Sequence, residues 1–109
     1  MQMTTFLQEK QLTIALPGEI DHHGAKHALQ NIADKIDQYI PKQCILDFKA
    51  ITFMDSSGIA VVIHTLRRMK ELGGSLKVKN VPPQPWKVFQ ASGIDRIVEM
   101  ERRTEAYEV

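Results

Sequence analysis

The feature that most narrows the possible folds is the run Cys44-Ile45-Leu46-Asp47-Phe48, almost continuously apolar and set between two stretches of helical periodicity. A strand with apolar residues on both faces belongs in the middle of a sheet, and one that follows a helix suits a parallel or mixed sheet. Upstream, Ala25, Ala28, Leu29, Ile32, Ile36, Tyr39 and Ile40 recur every three or four residues until Pro41. This predicts an amphipathic helix with Lys26, Gln30, Asp34, Lys35 and Asp37 on its solvated face. Downstream, Ile59, Val62, Ile63, Leu66, Met69 and Leu72 make a second stripe, stopped by Gly73-Gly74. The chain is therefore an α/β protein.

The flanking segments extend this order. Leu12, Ile14 and Leu16 alternate with Thr13 and Ala15 until Pro17-Gly18, as in a strand with one buried face, and Thr4 to Gln8 can pair with it through a Glu9-Lys10 turn. Residues 49 to 55 read as a loop. Leu76, Val78 and Val81 predict a strand, a short helix runs from Pro85 or Trp86 to Ser92 with Gly93 as its stop, and Ile97, Val98 and Met100 suggest a last short strand. The tail from Glu101 to Val109 is charged and reads as a surface turn or frayed end. The expected order is ββαβαβαβ: a single domain over residues 1–109, a mixed central sheet of about five strands with helices packed on one or both faces.

Composition removes several function classes. Lys and Arg total 14 against 13 Asp and Glu, a formal net charge of +1, which gives no one-sided basic field for nucleic acid or an anionic membrane surface. The longest stretch without charge, Ser56 to Leu66, is far short of the roughly 20 apolar residues of a membrane span, and the first residues do not read as a secretory signal. Cys44 has no partner for a disulfide, which fits a reducing cytoplasm.

The most informative segment is Phe53-Met54-Asp55-Ser56-Ser57-Gly58-Ile59, where a loop enters the second helix. Asp and Ser are common N-caps, because their oxygens accept hydrogen bonds from N–H groups that the first turn leaves unpaired. Two serines and a glycine there also set a hydroxyl beside the positive end of a helix, where a phosphate would meet backbone N–H groups. Phosphorylation would add roughly −1.5 to −2 charge at one point of a nearly neutral surface.

These residues carry a resemblance. Gly18-Glu19-Ile20-Asp21-His22-His23 ahead of a helix, the Asp55-Ser56-Ser57-Gly58 motif, Gly73-Gly74 before a strand and Ala91-Ser92-Gly93-Ile94 near the end resemble the anti-sigma-factor antagonists of the STAS family, over nearly the whole chain. The resemblance implies a sporulation-type regulator of transcription, not an enzyme. Its unphosphorylated form would bind an anti-sigma factor that is also a serine kinase, releasing the sigma factor. Phosphorylation on Ser57 would switch binding off, and a phosphatase would reset it. Asp21 would line the same face, Ser56 and Gly58 would flank the acceptor, Asp55 would belong to the motif, and Met54 and Ile59 would add apolar contact. ATP and Mg would belong to the kinase, so no cofactor is expected here. The same family also includes STAS modules of stress-signalling complexes and soluble subunits of membrane transporters, in which Ser57 would cap a helix or sit in a static interface.

Other candidates are weaker. His22, His23 and His27 suggest a metal through the four-residue spacing of the last two, but no third ligand has convincing spacing, so surface histidines are expected. Ser57 with His64 or His22 and Asp21 has the residue types of a hydrolase, yet His64 lies about two helical turns away, near 10 Å. A nucleotide loop of the Gly-x-x-x-x-Gly-Lys type is missing. Trp86 and Cys44 read as core residues, and Arg67, Arg68 and Lys70 suit the negative end of the second helix.

Overall fold

A two-residue turn at Glu9-Lys10 folds strand β1 (Thr4–Gln8) back on β2 (Gln11–Ala15), with Glu9 at φ 58° in the left-handed region such a tight hairpin requires. The computed structural model describes residues 3–104. The apolar run becomes β4 (Gln43–Asp47), the middle strand of a five-stranded sheet that also contains β6 (Ser75–Val81) and β7 (Glu99–Arg102). The order is β1-β2-β4-β6-β7, antiparallel only at β1.

Register explains why that run is apolar. Leu12, Cys44 and Leu76 lie side by side on one face, as do Ile14, Leu46 and Val78, and all six are buried. Helices α1 (His22–Tyr39) and α2 (Ser57–Glu71) set Ala25, Ala28, Ile32, Ile36, Val61, Val62 and Met69 into the same core. Each fully buried aliphatic side chain contributes about 1.5–3 kcal/mol. On the other face Ile45 stands between Thr13 and Lys77, and Lys77 ion-pairs with Glu101 at 3.3 Å. Helix α3 (Pro83–Ser92) packs Phe89 against Phe48 with ring centroids 5.6 Å apart, and Gly93 ends it at φ 79°. The Cα radius of gyration is 13.1 Å, as expected for one core of this length.

The structure corrects several boundaries. Residues 49 to 55 are not all loop, because Ile51–Met54 form a strand, β5, which pairs in parallel with a second short strand, β3 (Gly18–Ile20). Helix α1 starts three residues before Ala25, and Tyr39 and Ile40 leave its buried stripe to become 38% and 52% exposed. Helix α3 begins at Pro83, since proline needs no N–H in the first turn. Ile97 and Val98 follow a 3₁₀ turn, Ile94–Arg96, and precede the last strand, which takes in Glu101 and Arg102 of the expected tail. The last five residues of that tail, 105–109, lie outside the described residues.

Candidate functional site

The paired strands β3 and β5 end together. Asp21 follows one and Asp55-Ser56-Ser57 the other, and the Asp55 N–H donates to the Ile20 carbonyl at 3.1 Å. Both ends open directly into helices, α1 and α2, so two helix N-termini and two carboxylates meet at one end of the domain. Asp21 caps α1, accepting from the Gly24 N–H at 2.7 Å, and remains exposed. No lysine or arginine ion-pairs with Asp21 or Asp55 among the described residues.

Ser57 is the first residue of α2 and is half-buried, while Ser56 is exposed. Of the two residue types expected to cap the helix, the serine does not: Ser56 takes the N-cap position in the α region (φ −63°, ψ −15°) without a side-chain bond. Asp55 does the work instead, its Oδ1 accepting from the Ser57 N–H at 2.8 Å and its carbonyl from the Gly58 N–H at 3.1 Å. The Ile59 N–H donates to the Ser56 carbonyl at 3.1 Å. These three N–H groups are thus already partnered, which corrects the expectation that a phosphate on Ser57 would find them available. Neither serine hydroxyl has a hydrogen bond among the described residues.

Two further contacts hold the loop. Gly58 lies against Met54, whose Sδ and Cγ occupy the space a Cβ would take. Met54 is fully buried, so the apolar contact expected from it is internal; it seats the start of α2 and presents no surface. Ile59 is half-buried against the core. The apolar residue that the loop does present is Phe53, 43% exposed on β5, which sequence reasoning passed over because it read this stretch as loop. The second contact is Gln84 at the start of α3: its Oε1 accepts from the Met54 N–H at 2.8 Å and its Nε2 donates to the Met54 carbonyl at 2.7 Å. One amide side chain thus gives the outer edge of β5 both hydrogen bonds of a neighbouring strand. Nothing in the local pattern around Gln84, a glutamine between prolines, signals this.

The remaining candidates fall elsewhere. His64 is exposed along α2 and makes no hydrogen bond with Ser57. Among the described residues no three His, Cys, Asp or Glu side chains are grouped to hold a metal. Trp86 is half-buried on α3, with the Arg102 guanidinium 5.3 Å from its ring centroid. Burial pushes the Cys44 thiol up to about 12, which leaves it unreactive. Arg68, near the far end of α2, donates hydrogen bonds to the Asp37 carboxylate and then to Glu71, which hold its guanidinium pKa above the ordinary value. A groove of about 650 Å³ opens beside Asp21, between β3 and the first turns of α1, and Ser57 does not line it. No helix among the described residues is long and apolar enough to cross a membrane.

Comparison with known proteins agrees with this architecture. The family model described as STAS domain matches residues 4–106. An anti-sigma F factor antagonist of Lysinibacillus sphaericus is 34% identical over 83 residues, 76% of this chain and 71% of that protein. An anti-sigma-B factor antagonist of Bacillus subtilis is 27% identical over 97 residues, 89% of this chain and 87% of that protein. The anti-sigma factor antagonist SpoIIAA in its unphosphorylated form superposes with a TM-score of 0.79 at 30% identity, covering 95% of this chain and 90% of its own. SpoIIAA of Bacillus in the phosphorylated form superposes at 0.71, also at 30% identity, over 95% and 93%. The chain belongs to the STAS-domain family, and its relatives there are anti-sigma factor antagonists.

Proposed function

We propose that this chain is an anti-sigma factor antagonist whose binding is controlled by phosphorylation of Ser57, as one component of a sporulation-type switch in the cytoplasm. The unphosphorylated form binds an anti-sigma factor with serine kinase activity and frees the sigma factor. Phosphorylation turns binding off, and a phosphatase restores it. The protein is a substrate in this cycle; ATP and Mg enter with the kinase, and neither nucleic acid nor membrane is a direct partner.

The observation that carries this reading is the state of Ser57: its hydroxyl is without an internal partner, on a loop fixed from three sides by Asp55, Met54 and Gln84. A fixed loop presents the hydroxyl without further ordering, which lowers the entropic cost of docking. A phosphate at Ser57 stands beside the Asp55 carboxylate with the nearby N–H groups taken, so the domain neutralises little of its added charge. Docking the same face on a partner then desolvates a dianion, at a cost of several kcal/mol unless cations are supplied. Asp55 and Ser56 flank the acceptor and Asp21 stands at the end of the neighbouring strand, with Phe53 and part of Ile59 as apolar contact.

Incubation with a candidate anti-sigma kinase and Mg-ATP, followed by phosphosite mapping, tests the assignment. Phosphate is expected on Ser57; phosphate on Ser56, or nowhere, overturns it. Ser57→Ala is expected to bind the kinase persistently and Ser57→Asp to bind poorly, and equal binding of the kinase by phosphorylated and unphosphorylated protein breaks the switch.

A further inference from the structure

The first turns of α1 carry a pair of side chains that the proposed switch does not use. His23 and His27, one turn apart, are both exposed and line the groove beside β3, with ring centroids 4.9 Å apart and planes inclined at 74°. Neither imidazole is hydrogen-bonded among the described residues. Two imidazoles that share one ion at a metal–nitrogen distance of about 2.0–2.1 Å have centroids about 4.5 Å apart at a right angle and about 5.2 Å apart at the tetrahedral angle. The observed separation lies between these values, so the two rings already stand at the spacing that a shared ion requires.

The surroundings favour a cation. The groove is also lined by Glu19, Asp21 and Asn31, and by no lysine or arginine. Asn31 continues the stripe one turn beyond His27, so the side of α1 that faces the groove offers imidazole and amide groups in line. His22, adjacent in sequence, is turned by about 100° around the helix and does not line the groove.

We propose that His23 and His27 form a two-imidazole chelate for a late first-row divalent ion of the Ni²⁺ or Cu²⁺ class, with water completing the coordination. Imidazole selects these ions over Mg²⁺ and Ca²⁺, and a site with two protein ligands and open positions matches an exchangeable ion and not a structural zinc. The bound ion links one turn of α1 to the next, immediately after the helix cap at Asp21. The inference is independent of the reading of Ser57.

Calorimetric titration of NiCl₂ into the full chain, previously stripped with EDTA, tests it. One saturable ion per chain is expected. His23→Ala and His27→Ala should each weaken binding at least tenfold, and His22→Ala should stay within twofold of the parent. Excess MgCl₂ should leave the titration unchanged. All three histidines are exposed, so the variants keep the fold, which unchanged circular dichroism spectra verify. Absence of saturable binding overturns the proposal. So does retention of binding in either of the first two variants, a loss in His22→Ala equal to theirs, or competition by Mg²⁺, which would place the ion on Glu19 and Asp21.

Discussion

Gln84 is the residue whose removal most directly tests how the candidate phosphoacceptor loop is held. Gln84→Ala deletes two hydrogen bonds, at 2.8 and 2.7 Å, to the N–H and carbonyl of the fully buried Met54. At about 0.5–1.5 kcal/mol net per bond the loss lies between roughly 1 and 3 kcal/mol. Gln84 is itself exposed, so water reaches the vacated groups and the lower half of that range is expected. For a chain of this size about 1 kcal/mol lowers Tm by roughly 4–8 °C. Gln84→Glu sharpens the test, because a carboxylate still accepts from the Met54 N–H but sets an oxygen against its carbonyl. Its deficit should equal or exceed that of the alanine variant at pH 7 and shrink once the carboxyl protonates, near pH 4, and regains a donor. Guanidinium denaturation gives the global loss, amide exchange at Met54 the local one, and the initial rate of Ser57 phosphorylation the functional one. Unchanged stability together with unchanged Met54 exchange in Gln84→Ala would refute the idea that this side chain holds the loop.

Three other outcomes follow from the same geometry. Gly58→Ala gains about 1 kcal/mol of helix propensity but drives a Cβ into Met54, an overpacking cost of about 1–3 kcal/mol; measured against Met54→Ala alone, its loss in thermal melts should vanish, and an equal loss in both backgrounds counts against the contact. Ile40 is a half-exposed β-branched residue at φ 43°, so Ile40→Gly should raise Tm by relieving left-handed strain of about 1–2 kcal/mol; a fall in Tm would show that its side-chain packing matters more. The Cys44 thiol ionises near 9 when unfolded and near 12 when folded, so its contribution to stability is fully present below pH 9 and is lost as pH rises toward 12. Urea denaturation of the parent should therefore weaken over that window by up to about 1.4 kcal/mol per pH unit more than that of Cys44→Ala, and identical slopes would contradict the buried, neutral thiol.

Much of the fold was legible because it rests on periodicity. The stripes of α1 and α2 and the double-faced apolar run of β4 are local patterns, and each is visible within a dozen residues. Strands β3 and β5 were not, since three and four residues are too few to show a period. Each is held by the other, 30 or more positions away in sequence, so no local signal carries it. The same distance hid Gln84 and made Phe53 look like a loop residue. At the site, the Asp-Ser-Ser-Gly motif drew attention to the right segment, but the division of labour within it was a matter of backbone direction. Asp55 rather than Ser56 turned out to satisfy the first N–H of α2, because the chain leaves β5 already bonded to Ile20 and brings the Asp55 carboxylate under Ser57.

The sequence by itself determined the α/β class, the central position of residues 44–48 and the place of Ser57 at a helix entrance, because spacing and chain order are one-dimensional properties. Tertiary structure alone decided that Met54 is interior and that the first N–H groups of α2 are spent. Each of those depends on which distant backbone groups meet, and hydrogen bonds between elements are written only in three dimensions.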